Sequence, residues 1–181
     1  MKASSKHVAL LRGVNVGGKN MLPMKELAAM FVRAGCGEVV TYIQSGNVVF
    51  RAEDRVVRGL VGIVAGEVAK EFGIRVPVVL RSASEIDAVI RGNSFLRPAA
   101  SEDRLHVCFL ADQPGKDLVA GLDAGRSAPD RFAVVGREIY LELVNGAGKT
   151  RLTNAYFDSK LKTVSTMRNW RTVLKLAELL A

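Results

Sequence analysis

Cysteine and histidine are almost missing from this chain: Cys36, Cys108, His7 and His106 are the whole supply. With no CxxC pair and so few imidazoles, no metal site can be assembled at a recognisable spacing, and no metal or resident cofactor is expected. The two thiols lie inside or beside apolar sequence and read as reduced, buried side chains in a reducing compartment. Aromatic residues make up 6% of the chain, with a single tryptophan, which leaves little for a surface that stacks nucleobases. Long apolar runs are missing too. The longest, Val56 to Ala69, is broken by Arg58 and Glu67 and carries helical spacing, so it reads as a packed helix and not as a membrane span. Met1 to Lys6 lack the apolar stretch and cleavage site of a signal peptide. The expectation is a cytoplasmic protein with no membrane partner.

What is present is the material of a folded chain. Its 181 residues are 49% hydrophobic and 24% charged, enough to bury a core without disulfides. The formal net charge is +8, and it is unevenly spread. Residues 1–25 carry Lys2, Lys6, Arg12, Lys19 and Lys25 with no acid, and the last stretch carries Lys149, Arg151, Lys160, Lys162, Arg168, Arg171 and Lys175 against Asp158 and Glu178. The section between Pro98 and Gly148 is acidic on balance. Two basic ends would attract a phosphate, a nucleotide or a nucleic-acid backbone. Solubility alone is the plainer explanation of the same charge.

Local patterns give the order of elements. His7 to Leu11 reads as a strand, followed by the polar turn Arg12-Gly13-Val14-Asn15-Val16-Gly17-Gly18-Lys19-Asn20. Pro23 stands at a first helical position, and Met24, Leu27, Ala28, Phe31 and Ala34 recur at helical spacing until Gly35. Val39 to Ile43 and Val48 to Arg51 read as strands around the hairpin turn Gln44-Ser45-Gly46-Asn47. A helix from Arg55 to Phe72, stopped by Gly73, and a strand from Val76 to Leu80 complete βαββαβ. Ser82 and Glu85 then form a capping box over a helix to about Arg91, and Asn93 to Ser101 reads as a linker.

The pattern restarts with His106-Val107-Cys108-Phe109-Leu110, an echo of His7-Val8-Ala9-Leu10-Leu11. A short helix from Asp117 to Leu122, strands Phe132 to Val135 and Glu138 to Val144 around Gly136-Arg137, a helix from Thr150 to Leu161, an extended piece at Thr163 to Ser165 and a last helix from near Asn169 follow. The expected fold is α+β, two ferredoxin-like (βαββαβ) units in tandem, residues 1–97 and 98–181, with mainly antiparallel sheets and extra helices.

Three stretches carry a resemblance: Leu10 to Asn20, Thr41-Tyr42-Ile43-Gln44-Ser45-Gly46-Asn47-Val48-Val49-Phe50, and Thr166-Met167-Arg168-Asn169-Trp170-Arg171-Thr172-Val173. Together they resemble the bacterial family DUF1697 over essentially the whole chain. The resemblance implies a tandem of ferredoxin-like units and assigns no catalytic residue. One departure is Thr150-Arg151 ahead of Leu152-Thr153-Asn154, where the family often shows Ser-Lys.

In a βαββαβ sheet the first two strands run parallel, so the connections after them leave at one end. That places Asn15, Gly17, Gly18, Lys19 and Asn20 close to Gln44, Ser45, Gly46 and Asn47, with Arg12 beside them. Glycines let backbone N–H groups approach a ligand, and Arg and Lys add charge-assisted bonds. The competing reading is that Gly and Asn are ordinary turn residues. Gly146-Ala147-Gly148-Lys149-Thr150 suggests a P-loop, but the glycine required five positions before Gly148 is Leu143. Lys149, Arg151 and Asn154 are retained as phosphate contacts near a helix start. Arg168 is a candidate anion contact and Asn169 either joins it or caps the last helix, while Trp170 reads as core. An RNA platform would have to rely on Phe50 alone. The leading expectation is therefore a small anionic or phosphate-bearing ligand at Arg12 to Asn20. Sequence-independent nucleic-acid binding and an enzyme acting on a phosphorylated substrate are the alternatives.

Overall fold

Strands rich in β-branched and other apolar side chains build two antiparallel sheets in the computed structural model, which describes residues 4–97 and 101–181. Each sheet has four strands. The chain divides into two compact units, one of residues 1–86 with 176–181 and one of residues 87–175. Among the described residues no helix is long and apolar enough to cross a membrane.

In the first unit β1 (Ser4–Leu11) runs antiparallel to β3 (Asn47–Glu53) and to β4 (Val78–Ser82), and β2 (Gly37–Tyr42) lies outside β3. Helices α1 (Met24–Arg33) and α2 (Asp54–Phe72) supply the other layer. Ala9, Leu11, Val48 and Phe50 of the sheet share one core with Leu27 and Phe31 of α1 and with Leu60, Val64 and Val68 of α2. The apolar period near 3.6 in both helices puts these residues on one stripe. Gly73 ends α2 in the left-handed conformation, as its position after the last apolar residue suggests. Ser82 and Glu85 open α3 (Ala83–Gly92) with the reciprocal capping box: Glu85 N–H donates to Ser82 Oγ at 3.2 Å and Ser82 N–H to Glu85 Oε2 at 2.7 Å.

The second unit repeats the plan. β5 (Leu105–Leu110) lies between β7 (Glu138–Glu142) and β8 (Ser165–Asn169), with β6 (Arg131–Val135) at the edge. Cys108, Leu110, Ile139 and Leu141 pack on Tyr156, Phe157 and Leu161 of α5 (Asn154–Leu161). A short helix, α4 (Lys116–Ala120), and the last helix, α6 (Trp170–Leu180), complete the chain. Glu142 is buried and held by Arg97 at 2.8 Å and by Arg131, which ties edge strand β6 and residue 97 to β7.

The tandem ferredoxin-like reading holds, with differences in where elements begin and end; β4, expected at Val76 to Leu80, is Val78–Ser82. Helix α5 starts at Asn154 and not at Thr150, because Thr153 Oγ1 accepts the Tyr156 N–H and acts as the cap. The strand expected at Thr163 to Ser165 is Ser165–Asn169, since residues 165–169 pair with β5. Thr166 to Arg168 therefore belong to a strand, and the last helix starts at Trp170, next to the expected Asn169. The expected linker from Asn93 to Ser101 includes residues 98–100, which lie outside the described residues, as do Met1 to Ala3.

Candidate functional site

Three connections meet at one end of the first sheet because β1 runs antiparallel to both β3 and β4. Leu11 N–H donates to Gly46 O at 2.8 Å, and Arg12 N–H to Pro77 O at 3.0 Å. The turn after β1, the β2–β3 hairpin and the α2–β4 connection are thereby fastened to one another. The expected neighbours are brought together: Asn15 Nδ2 donates to Gln44 O at 2.9 Å and to Leu22 O at 2.8 Å, while its Oδ1 accepts Leu22 N–H at 2.7 Å.

The asparagines of this site hold the loops. Asn20 Nδ2 donates to Gly13 O at 2.9 Å, and Asn47, fully buried, donates to Tyr42 O and Ser45 Oγ. Asn15 and Asn20 both adopt positive φ, 54° and 50°, a conformation asparagine tolerates. Gly46 is required by space: a Cβ there would lie 2.6 Å from Val14 Cγ2 and 2.8 Å from Leu11 Cβ. Gly17 and Gly18 differ, since nothing lies within 4 Å of their Cβ positions. They form the tip of a small hairpin closed by Asn15 N–H to Asn20 O at 3.1 Å and Lys19 N–H to Val16 O at 3.1 Å.

The polar groups this end of the unit leaves open are Lys19, the tip at Gly17 and Gly18, and the Gln44 side chain, all exposed. Among the described residues, the N–H groups of Gly17 and Gly18 and the Gln44 amide make no hydrogen bond. Three features were missed in the sequence. Arg75 is exposed two residues before Pro77, and the βαββαβ topology itself places its connection at this end. Ile43 has φ 49°, a costly conformation for a β-branched residue. Beside Asn15 and Gln44 lies an open groove of about 420 Å³, lined also by Met21, Leu22 and Pro23.

The second unit supplies a control built into the same chain. Leu110 N–H donates to Arg137 O at 2.8 Å and Ala111 N–H to Val164 O at 2.8 Å, the same two fastenings as in the first unit. Yet β5 reaches its helix through residues 111–115, whereas β1 uses residues 12–23. The hairpin after β6 turns through residues 136–137, where the one after β2 uses residues 43–46.

The remaining sequence candidates belong to the second unit. Lys149 and Arg151 are exposed, but the backbone near them is occupied: Lys149 N–H donates to Gly146 O, Arg151 N–H to Ser127 Oγ at 2.9 Å and Leu152 N–H to Thr150 Oγ1 at 3.1 Å. Ser127 also donates to buried Asp130 at 2.9 Å, which pins this loop. Asn154 Oδ1 accepts from Ser165 Oγ at 3.2 Å and from Cys108 Sγ at 3.5 Å. Asn169 Oδ1 accepts the Thr172 N–H at 2.8 Å and caps α6.

Arg168 is buried and donates to Thr166 Oγ1 at 2.8 Å and Met167 O at 2.9 Å; burial pushes its pKa down to about 10. Arg81 is its counterpart in the first unit, also buried and bonded to the carbonyl before it, Leu80 O, at 2.8 Å. Arg81 stands opposite Val8 and Arg168 opposite Val107, at the same register of the repeat.

A family model described as "Protein of unknown function (DUF1697)" matches residues 4–140. No curated protein matches the chain. Among solved structures, that of a conserved bacterial protein from Streptococcus pneumoniae is similar, with a TM-score of 0.70 at 23% identity, covering 99% of this chain and 100% of that one. At that identity the likeness speaks for the fold.

Proposed function

Since the chain belongs to DUF1697, a family of proteins of unknown function, the reading rests on the site, and we propose that the Arg12 to Asn20 turn binds a small anionic, phosphate-bearing ligand. The observation that carries it is the contrast between the two units. The same sheet topology is closed by short connections in the second unit and by longer, glycine-rich and strained ones in the first. Folding alone does not ask for the longer form. An isoleucine at φ 49° costs roughly 1–3 kcal/mol, and such strain collects at functional sites.

The chemistry agrees with an anion. Gly17 and Gly18, both at positive φ, present backbone N–H groups at an open tip, the arrangement of an anion-binding nest. Lys19 stands next to them, and Arg12 and Arg75 supply further positive charge at the same end. Asn15, Asn20, Ser45, Gly46 and Asn47 act by holding the two turns in register.

Thermal unfolding in the presence of nucleotides and phosphorylated metabolites tests this reading. A binder at 100-fold its Kd adds about 2.7 kcal/mol, which for a chain of this size raises the midpoint by roughly 2–4 °C per kcal/mol. The rise is expected in the wild type and not in an Arg12→Ala/Lys19→Ala variant. Equal stabilisation of both proteins, or none across the panel, would sink the proposal.

A further inference from the structure

The groove beside the turn has a composition that a bare phosphate does not explain. Met21 is 64% exposed, Val16 60% and Ile43 50%, and all three stand on the two connections that bound it. Its polar wall is already satisfied: Asn15 spends its amide on Leu22 and Gln44, and Leu22 N–H is bound in return. Among the side chains that line it, that of Gln44 has its hydrogen-bonding capacity open. Such a surface recognises shape and apolar area. It offers neither the aromatic faces nor the donor and acceptor pattern that a nucleobase needs. Methionine, unbranched and adaptable, suits a flexible aliphatic partner.

Charge sets the other end of the ligand. Lys19 lies on the hairpin whose base, Asn15, forms the groove wall, and Lys25 follows Pro23 in the first turn of α1; Glu26 is the acid of that turn. No acid occurs among residues 1–25. The volume of about 420 Å³ is that of a small-molecule site and not of a protein interface.

We propose that the groove of Met21, Leu22 and Pro23 receives the aliphatic body of a small amphipathic anion, an alkyl or acyl phosphate, whose head group sits at Gly17 to Lys19. This rests on the anion reading given above and extends it to the class of ligand. Burial of methylenes makes such a ligand bind about tenfold or more tightly than its head group alone.

The test is titration calorimetry of the full chain with hexyl phosphate, inorganic phosphate and hexanol. Hexyl phosphate is expected to bind most tightly, with 1:1 stoichiometry. Met21→Ser weakens hexyl phosphate several-fold and leaves inorganic phosphate unchanged, whereas Lys19→Ala weakens both anions. Equal affinity for hexyl and inorganic phosphate overturns the groove assignment and leaves the anion site standing. Hexanol binding as tightly as hexyl phosphate, with no phosphate affinity, overturns the anion site and with it the amphipathic ligand. Binding to anionic phospholipid vesicles without binding of hexyl phosphate assigns the apolar tips to a membrane surface and also overturns the proposal.

Discussion

At the scale of single residues, the glycines of the site divide into two kinds. Gly46 is wedged against Val14 and Leu11, so Gly46→Ala adds a clash to the left-handed penalty and is expected to cost about 2–4 kcal/mol. Gly18→Ala, with open space around it, is expected to cost about 1–2 kcal/mol while weakening the anion. Urea midpoints of the two variants, side by side, decide whether packing or only backbone conformation distinguishes them. His106 carries a second residue-scale prediction. Burial lowers its pKa from the usual 6.5, although its bond to the Arg104 carbonyl works in the opposite direction. The folded chain thus favours the neutral ring. Above 6.5 both states are neutral and the residue adds no pH dependence; below it the unfolded chain takes up the proton first and stability falls. His106→Asn is expected to lose less stability than the wild type between pH 7 and pH 5 in urea unfolding. An identical loss would place the pH dependence elsewhere.

At the scale of elements, caps decide where helices begin more than apolar periodicity does. The run after Gly148 reads as helical from Thr150, but Thr150 and Ser127 bind the amides of residues 151 and 152, and the helix starts only after Thr153. Thr153→Ala is expected to destabilise the second unit by about 1 kcal/mol. Circular dichroism through a urea titration would show it as a shifted midpoint, and an unshifted one would mean that Ser127 and Thr150 set the helix start. The capping box of Ser82 and Glu85 was legible in sequence because both partners lie within four residues of each other. Arg168 was not. Its burial and its match with Arg81 follow from strand register against β5 and β1, which no local pattern encodes.

At the scale of the whole molecule, the formal charge of +8 guarantees some attraction for polyanions, so nucleic-acid affinity has to be read from its salt dependence. Phe50, the one aromatic that an RNA platform could have used, is buried against Phe31 and His7. Binding of single-stranded oligonucleotides is accordingly expected to be weak and its logarithm to fall linearly with log salt, losing about 300-fold between 50 and 200 mM if six phosphates are contacted. Salt-resistant binding in a filter or fluorescence assay would contradict this and demand a stacking surface.

The sequence by itself determined the class and repetition of the fold. Short apolar and β-branched runs, helical period, and stop signals such as Gly73 are short-range and survive without tertiary context. It also determined that the turn after β1 and the β2–β3 hairpin meet, because two parallel strands of one sheet must end on the same side. Tertiary structure alone decided which polar side chains of that meeting are used up. Asn15, Asn20 and Asn47 spend their side-chain amides on backbone carbonyls, and what is left open is Lys19, the glycine tip, Gln44 and an apolar groove. A donor's availability depends on the three-dimensional partners it finds, and those partners come from segments up to 29 residues apart.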